Sequence, residues 1–476
     1  MFVKIVKFTL FYSLVFSYLS FADSNIDQFE EYNVDVNDSG TQFVQNWQEI
    51  SKSILEEIEK INLMDESNFN RLPEKRFISL ISDAVQSYPQ TLLSLEQRKE
   101  VESNYDLARS ALFPNINLGA GSGEQSSEYP TGTIKGSQDR FSLSLSQLLF
   151  DFNQTKLNIE SAKKKIFGAE LTENASKLDN CLLAIQYYLE YYRASAMLSL
   201  AIKQTESAQS LVLMLTEKEK LGGTSKHEIA RAKIKYAEAL NNIPLLDQGL
   251  LIAKNRFEMF FKEANLNPQA IFYPVEPQIN LTQENLLNDK FNSYPRVKSL
   301  KESIASLSLE IKALDRSKFG GFFLEGSTSK VNGSLSTSAQ DSESFMITYR
   351  SNIFSGGSHK AKLQGAQSKL AQQKIQLQQL KNEYFLAYNQ AKASYLKEQK
   401  TFISTKELVD QSMLSYKGTL ELFFARKGGL LDVFSLQESI FDAGSLMVNS
   451  FVNKTLAKYR YLHITGDLLN YIFPKI

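Results

Sequence analysis

The sequence predicts a mainly α-helical, elongated fold with a small share of membrane-type β-strand, and three observations carry that prediction. From Phe141 to Phe150 the chain alternates, with Phe141, Leu143 and Leu145 apolar and Ser142, Ser144 and Ser146 polar. A period of two over about ten residues suits a tilted membrane-spanning strand with one face to lipid and one to water. After Asp151-Phe152-Asn153 the period changes, and the chain runs to Leu221 without proline, with Gly168 as its one interior glycine. About 65 helical residues at about 1.5 Å each span roughly 100 Å, several times the length of a globular-domain helix. The third observation is that the whole arrangement occurs twice.

The repeat shows as matched landmarks. Ser87-Tyr88-Pro89 recurs as Ser293-Tyr294-Pro295, and Phe113 as Phe319, both 206 residues on. Phe141 and Phe150 recur as Phe345 and Phe354, 204 residues on, and Gly222-Gly223 as Gly428-Gly429, again at 206. Four landmarks at nearly constant spacing mark a duplicated unit of helix, strand, loop, strand, long helix, turn and helix.

In order, Phe77 to Phe113 is predicted helical, with the proline of Ser87-Tyr88-Pro89 ending one helix and opening the next. A short strand follows over Asn115–Ala120, with Ile116 and Leu118 on one face, and then a Gly/Ser/Thr-rich loop from Gly121 to Arg140. In the first long helix Leu171, Leu178, Ile185 and Tyr192 are seven apart, and Ala175, Leu182, Leu189 and Ala196 form a second set four residues on. Together they make an a/d seam. Gly222-Gly223 ends this helix and Thr224 or Ser225 caps the next, which is expected to kink near Pro244 and end before Asn267-Pro268. In the second unit the loop runs from Gly326 to Ser344 and the turn falls at Gly428-Gly429.

The expected organisation is a leader over 1–22, an N-terminal extension over 23–76, a first repeat over 77–267, a linker over 268–280, a second repeat over 281–470 and a tail over 471–476. Lys4 and Lys7 before a short apolar core and Ser20-Phe21-Ala22 read as a secretory signal peptide cut after Ala22. The extension is acidic, with a possible amphipathic helix over Trp47–Ile61. Formal charge is zero for the whole chain, and loss of the two leader lysines takes it to −2, so charge gives no case for a nucleic-acid partner. Cys181 is the one cysteine, which excludes an intrachain disulfide and reads as a small buried apolar residue.

Two hairpins give four strands, which cannot close a barrel, and an open strand edge cannot survive in lipid. The smallest membrane barrels have about eight strands, so several copies must pool their hairpins; closure alone permits two or three. In the last strand Phe345, Ile347, Tyr349 and Ile353 are expected to face lipid. Thr348, Arg350 and Asn352 are expected to face water, the arginine requiring a wet lumen.

These segments resemble the TolC-type outer-membrane efflux protein family over about residues 77–470. The marks are the Tyr-Pro helix starts, the strand-to-turn segments SQLLFDFNQ and RSNIFSGGS, the turns GGTSKHEIARA and GGLLDV, and the closing YRYLHITGDL. The resemblance implies a homotrimer in which four strands per protomer contribute to a shared 12-stranded β-barrel, above a periplasmic α-barrel of long helical hairpins. It implies a passive channel for efflux or type I secretion, partnered by a periplasmic adaptor protein and an inner-membrane ABC or proton-driven transporter. In that family acidic residues at the periplasmic end line the closed aperture. Asp432 matches the first of two such aspartates, and Ser435 stands where the founding member has the second. Arg426 and Lys427 are the neighbouring bases that would screen a ring of Asp432 carboxylates. A plain helix N-cap at Asp432 is equally open.

Other chemistry has little material. His227, His359 and His463 have no metal-ligand spacing and read as surface or turn residues. Gly119-x-Gly121-x-Gly123 does not lead into a helix, and Gly326-Ser-Thr-Ser-Lys330 lacks P-loop spacing. Lys163-Lys164-Lys165 reads as a solvated helix face. No enzyme, cofactor or metal site is expected. A periplasmic adaptor would need one hairpin and compact β domains, and a structural coiled coil would lack the strands, so both are disfavoured.

Overall fold

The computed structural model describes residues 73–476 except 130–131, 221, 262–273, 280, 282–285, 334–339, 426 and 475–476. The leader, the extension with its Trp47–Ile61 helix, and Arg426 therefore lie outside the described residues.

The two repeats match closely. The first has α1 (Glu74–Ser87), α2 (Pro89–Ser110), β1 (Asn115–Tyr129), β2 (Gly132–Phe150), α3 (Gln154–Lys220) and α4 (Lys226–Phe260). The second has α5 (Leu287–Ser293), α6 (Pro295–Arg316), β3 (Gly321–Gly333), β4 (Gln340–Arg350), α7 (Ser358–Phe424) and α8 (Leu430–Thr465), closed by α9 (Asp467–Ile472). α3 and α7 have 67 residues each, and α2 and α6 have 22 each. Tyr88 and Tyr294 hold extended backbone at the N-caps of α2 and α6, with proline at N1. This is the geometry the Ser-Tyr-Pro landmarks require. α4 continues through Pro244 to Phe260.

The strands form one antiparallel sheet in the order β1-β2-β3-β4. They are longer than the alternation predicts. β1 reaches Tyr129, β2 starts at Gly132, and most of both expected loops is paired backbone. Beyond Ala120 and before Phe141 polar residues occupy both faces, so no periodicity marks the strand while the backbone ladder continues. β4, by contrast, stops at Arg350, so Asn352 and Ile353 belong to the irregular 351–357 segment and not to a strand face.

The helices follow the same order as the strands: α2 packs on α3, α3 on α6, and α6 on α7. The a/d seam of α3 is real, with Ala175, Leu178, Ile185, Leu189 and Tyr192 buried. Around it lies an aromatic core that includes Phe77 of α1, Phe257 of α4, Tyr294 at the start of α6, Tyr384 and Tyr388 of α7, and Phe451 and Tyr459 of α8. Cys181 is fully buried within it, and burial pushes its thiol well up. Among the described residues no helix is long and apolar enough to cross a membrane.

Candidate channel site: the sheet faces and the hairpin tips

The strand register sorts the sheet into an apolar and a polar face. One face carries Ile116 and Leu118, Leu145, Leu143 and Phe141, Phe322 and Leu324, and Tyr349, Ile347 and Phe345. Most of these side chains are exposed in the single chain, Phe345 by 76% and Ile347 by 67%, while Leu145 and Leu324 are half-buried. The apolar stretch gives way to Glu124 and Asp139 on the first hairpin, and to Lys330 and Glu343 lower on the second. Such an oblique boundary is what tilted strands give when they cross a flat slab.

The opposite face carries Asn115, Asn117, Ser142, Ser144 and Ser146, and on the second hairpin Glu325, Ser327, Ser329, Ser342 and Ser344. Ser327 and Ser344 share a hydrogen bond of 2.8 Å, and Ser329 and Ser342 one of 2.9 Å. Thr348 and Arg350 lie on this same polar face. Thr348 Oγ1 donates to Glu325 Oε2 at 2.8 Å, Arg350 is ion-paired with Glu325, and the Arg350 guanidinium sits 5.2 Å from the Phe323 ring centroid. The Arg350 charge, expected from sequence to face water, is thus neutralised within its own sheet.

β2 and β4 hand over to α3 and α7 through tight corners. Phe152 and Asn153 have φ of 56° and 69°, and their repeat counterparts Gly356 and Gly357 have 59° and 83°. The corner needs two consecutive left-handed residues, which glycine supplies without steric cost. The first repeat holds Phe152 there by ring contacts to Phe150 and Phe319 at 4.9 and 5.4 Å. Thr155 N also donates to Asp151 Oδ2 at 2.6 Å.

At the far ends of α3 and α7 the glycine turns reverse the chain. Gly222 has φ of 69°, and a side chain on Gly223 would meet Lys218 Cγ at 2.9 Å. A side chain on Gly428 would meet the backbone nitrogen of Phe423 at 3.1 Å. Ser225 caps α4 in a reciprocal pair with Glu228. In α8 the N-cap is Gly429, so Asp432 is not the cap; it occupies the third helical position, as Glu228 does in α4. Its carboxylate turns back to the cap, 3.2 Å from where a Gly429 Cβ would stand. Asp432 and Lys427 are both exposed, and Asp432 forms no ion pair among the described residues. The two tips touch each other: Gln437 Nε2 donates to Ser207 Oγ at 2.7 Å, Lys235 lies 3.5 Å from Glu438, and Lys218 Nζ is 4.4 Å from the Phe423 ring centroid.

Two clusters that sequence reading missed hold the middle of the helical layer. Asp179 of α3 meets His463 Nε2 of α8 at 2.8 Å and is ion-paired with Arg296 of α6. Burial raises the Asp179 pKa, but the His463 hydrogen bond and the Arg296 charge outweigh it and hold the carboxyl below its ordinary value. His463 is therefore half-buried and held between helices rather than a free surface residue. Glu276, in the segment expected to be a linker, is clamped by Lys454 at 2.6 Å and Lys458 at 2.9 Å, and its carboxyl is likewise held low against the opposing effect of burial. The lysine run is not wholly solvated either: Lys164 pairs with Glu302 at 3.0 Å and Lys165 with Glu310 at 2.5 Å, both on α6.

A sheet split into a lipid-type and a water-type face, continuing into helices of 67 residues, is an arrangement with known relatives. Residues 80–258 match the family model described as outer membrane efflux protein. The chain is 19% identical over 375 residues to the outer membrane efflux protein BepC of Brucella suis, covering 77% of this chain and 80% of that one. Over residues 80–258 the chain is therefore similar to the outer membrane efflux proteins. The match falls in the first repeat, and the second repeats the same elements.

Solved channels of this kind share the fold. The outer membrane protein VceC of Vibrio cholerae superposes with a TM-score of 0.68 at 15% identity, over 82% of this chain and 95% of that one. The open-state MtrE outer membrane channel of Neisseria gonorrhoeae gives 0.68 at 16% identity, over 82% and 89%. The fold is the one these outer-membrane channels share, long helical hairpins joined to a four-stranded sheet.

Proposed function

We propose that this protein is the outer-membrane exit duct of a three-component export system, a passive conduit with no catalytic step of its own. The observation that carries the proposal is the four-stranded sheet, which has an apolar and a polar face and two open edges, β1 and β4. Unpaired backbone at those edges is untenable in lipid, and β4 of one copy pairing with β1 of the next removes it. Three copies then close 12 strands, with the apolar face to lipid and the serine face, including Thr348 and Arg350, to the lumen. The helical tips at Gly222-Gly223 and Gly428-Gly429 lie at the periplasmic end, where a periplasmic adaptor and an inner-membrane ABC or proton-driven transporter would engage.

In that assembly Asp432, Lys427 and Arg426 ring the periplasmic aperture, the carboxylates repelling one another unless cations or the bases screen them. The test is planar-bilayer recording of the purified oligomer. The wild type is expected to conduct and to favour cations, with block by divalent ions, and Asp432→Ala to weaken both. If Asp432→Ala and Asp432→Asn keep the parent's reversal potential and divalent block, the carboxylate serves only the helix end; absence of conductance in the parent contradicts the duct itself.

A further inference from the structure

The internal repeat specifies how a second copy sits against the helical layer. Within the layer α2-α3-α6-α7, α2 and α7 are the two ends, just as β1 and β4 are the ends of the sheet. The α3–α6 contact is described atom by atom: Ser161 and Ser306 hydroxyls meet at 2.9 Å, and Ser299 Oγ donates to the Gly168 carbonyl at 2.9 Å. α3 maps onto α7 with an offset of 204, and α6 onto α2 with an offset of 206. Ser161 therefore corresponds to Gly365, and Ser306 to Glu100. The α7 counterparts of Ser161, Lys164, Lys165 and Gly168, namely Gly365, Ser368, Lys369 and Gln372, are exposed, and so are Leu93, Glu96 and Glu100 on α2.

The charges on these two free faces are complementary. From Ser358 to Asn382, α7 carries five lysines and no acidic residue. Of these, Lys362 and Lys369 lie on the corresponding face, one turn to either side of Gly365, and neither has an ion pair among the described residues. On α2, Glu96 is held by Lys99 at 2.8 Å and Glu102 by Arg98 at 2.8 Å, whereas Glu100 has no ion pair among the described residues. Gly365 has nothing within 4 Å of where a Cβ would stand, so it leaves room for a glutamate to cross.

We infer that a second copy lays its α2 on α7 in the register of α3 on α6, with Glu100 crossing Gly365 between Lys362 and Lys369. The inference rests on the shared-barrel reading above. It adds that a charged contact between protomers stands where the α3–α6 seam has its central hydroxyl pair, a pair itself flanked by Lys164–Glu302 and Lys165–Glu310. An exposed charged contact of this kind loosens with salt.

The test uses the full-length protein in membranes, oxidised after the paired substitutions Glu100→Cys and Gly365→Cys. Crosslinked dimers and trimers are expected, and none from Glu100→Cys with Gln379→Cys, about four turns away along α7. A particle of three copies without the 100–365 crosslink, or a crosslink confined to single chains, overturns the register. A particle of one copy overturns the shared barrel and this seam together. As a second readout, Glu100→Lys should lower the thermal dissociation temperature of the oligomer, and Lys362→Glu with Lys369→Glu should restore it. An unchanged dissociation temperature in Glu100→Lys contradicts the ionic contact.

Discussion

Single residues show how the duplicated unit tolerates different side chains at the same backbone demand. Gly356 and Gly357 turn the corner before α7 with open space around them, so Gly357→Ala should cost only the left-handed backbone term, about 1 kcal/mol. Gly320 is a different case, with φ of 67° and a Cβ that would lie 2.0 Å from the Arg350 carbonyl oxygen. Gly320→Ala should therefore separate β3 from β4 and abolish assembly into the membrane, read as loss of the oligomer on denaturing gels run without heating. Asp179 offers a pH test. Its carboxyl is held below the ordinary value of 3.8, so the unfolded chain binds more protons in acid than the folded one. The stability it contributes is present above that value and is lost as pH falls through the lowered one. Asp179→Asn should flatten the fall in thermal stability below about pH 4, measured by circular dichroism, while lowering stability at neutral pH. Asp179 and Arg296 did not stand out in sequence and His463 read as a surface residue, because the three lie on three helices and only packing joins them. The one trace was an acidic residue beside Leu178 in an otherwise apolar seam.

At the scale of elements, sequence periodicity marked the second strand and the first long helix, and the internal repeat carried both readings to the second half, because a period is visible wherever one face is buried or greasy. It failed where both faces are polar. The segments 121–140 and 326–344 look like loops by composition and are mostly strand, since the ladder of β1 with β2 and of β3 with β4 needs backbone rather than side chains. The hairpins therefore stand well beyond the apolar band, and that makes a prediction: a cysteine at Ser122 or Lys330 should react with a membrane-impermeant maleimide on intact cells. Reaction only after lysis would invert the topology. The tips make another. Ser225 exchanges hydrogen bonds with Glu228, so Ser225→Ala should cost about 0.5–2 kcal/mol, whereas Asp432→Ala loses a first-turn charge worth about 0.3–1 kcal/mol. Sequence alone left open whether Asp432 is a cap; Gly429 fills that position, which nothing in Gly-Gly-Leu-Leu-Asp distinguishes before the helix start is known.

The whole molecule is incomplete as one chain, and its incompleteness has a consistent direction. The sheet ends at β1 and β4, the helical layer ends at α2 and α7, and in each the first repeat supplies one edge and the second the other. A head-to-tail contact of this kind closes into a ring when the rotation permits. Four strands per copy and a lipid-type face suit the three copies proposed above. The mass of the detergent-extracted particle measured by native mass spectrometry tests this most directly. Three copies per particle is the predicted result; one copy, or two, would contradict a shared 12-stranded barrel and the duct built on it.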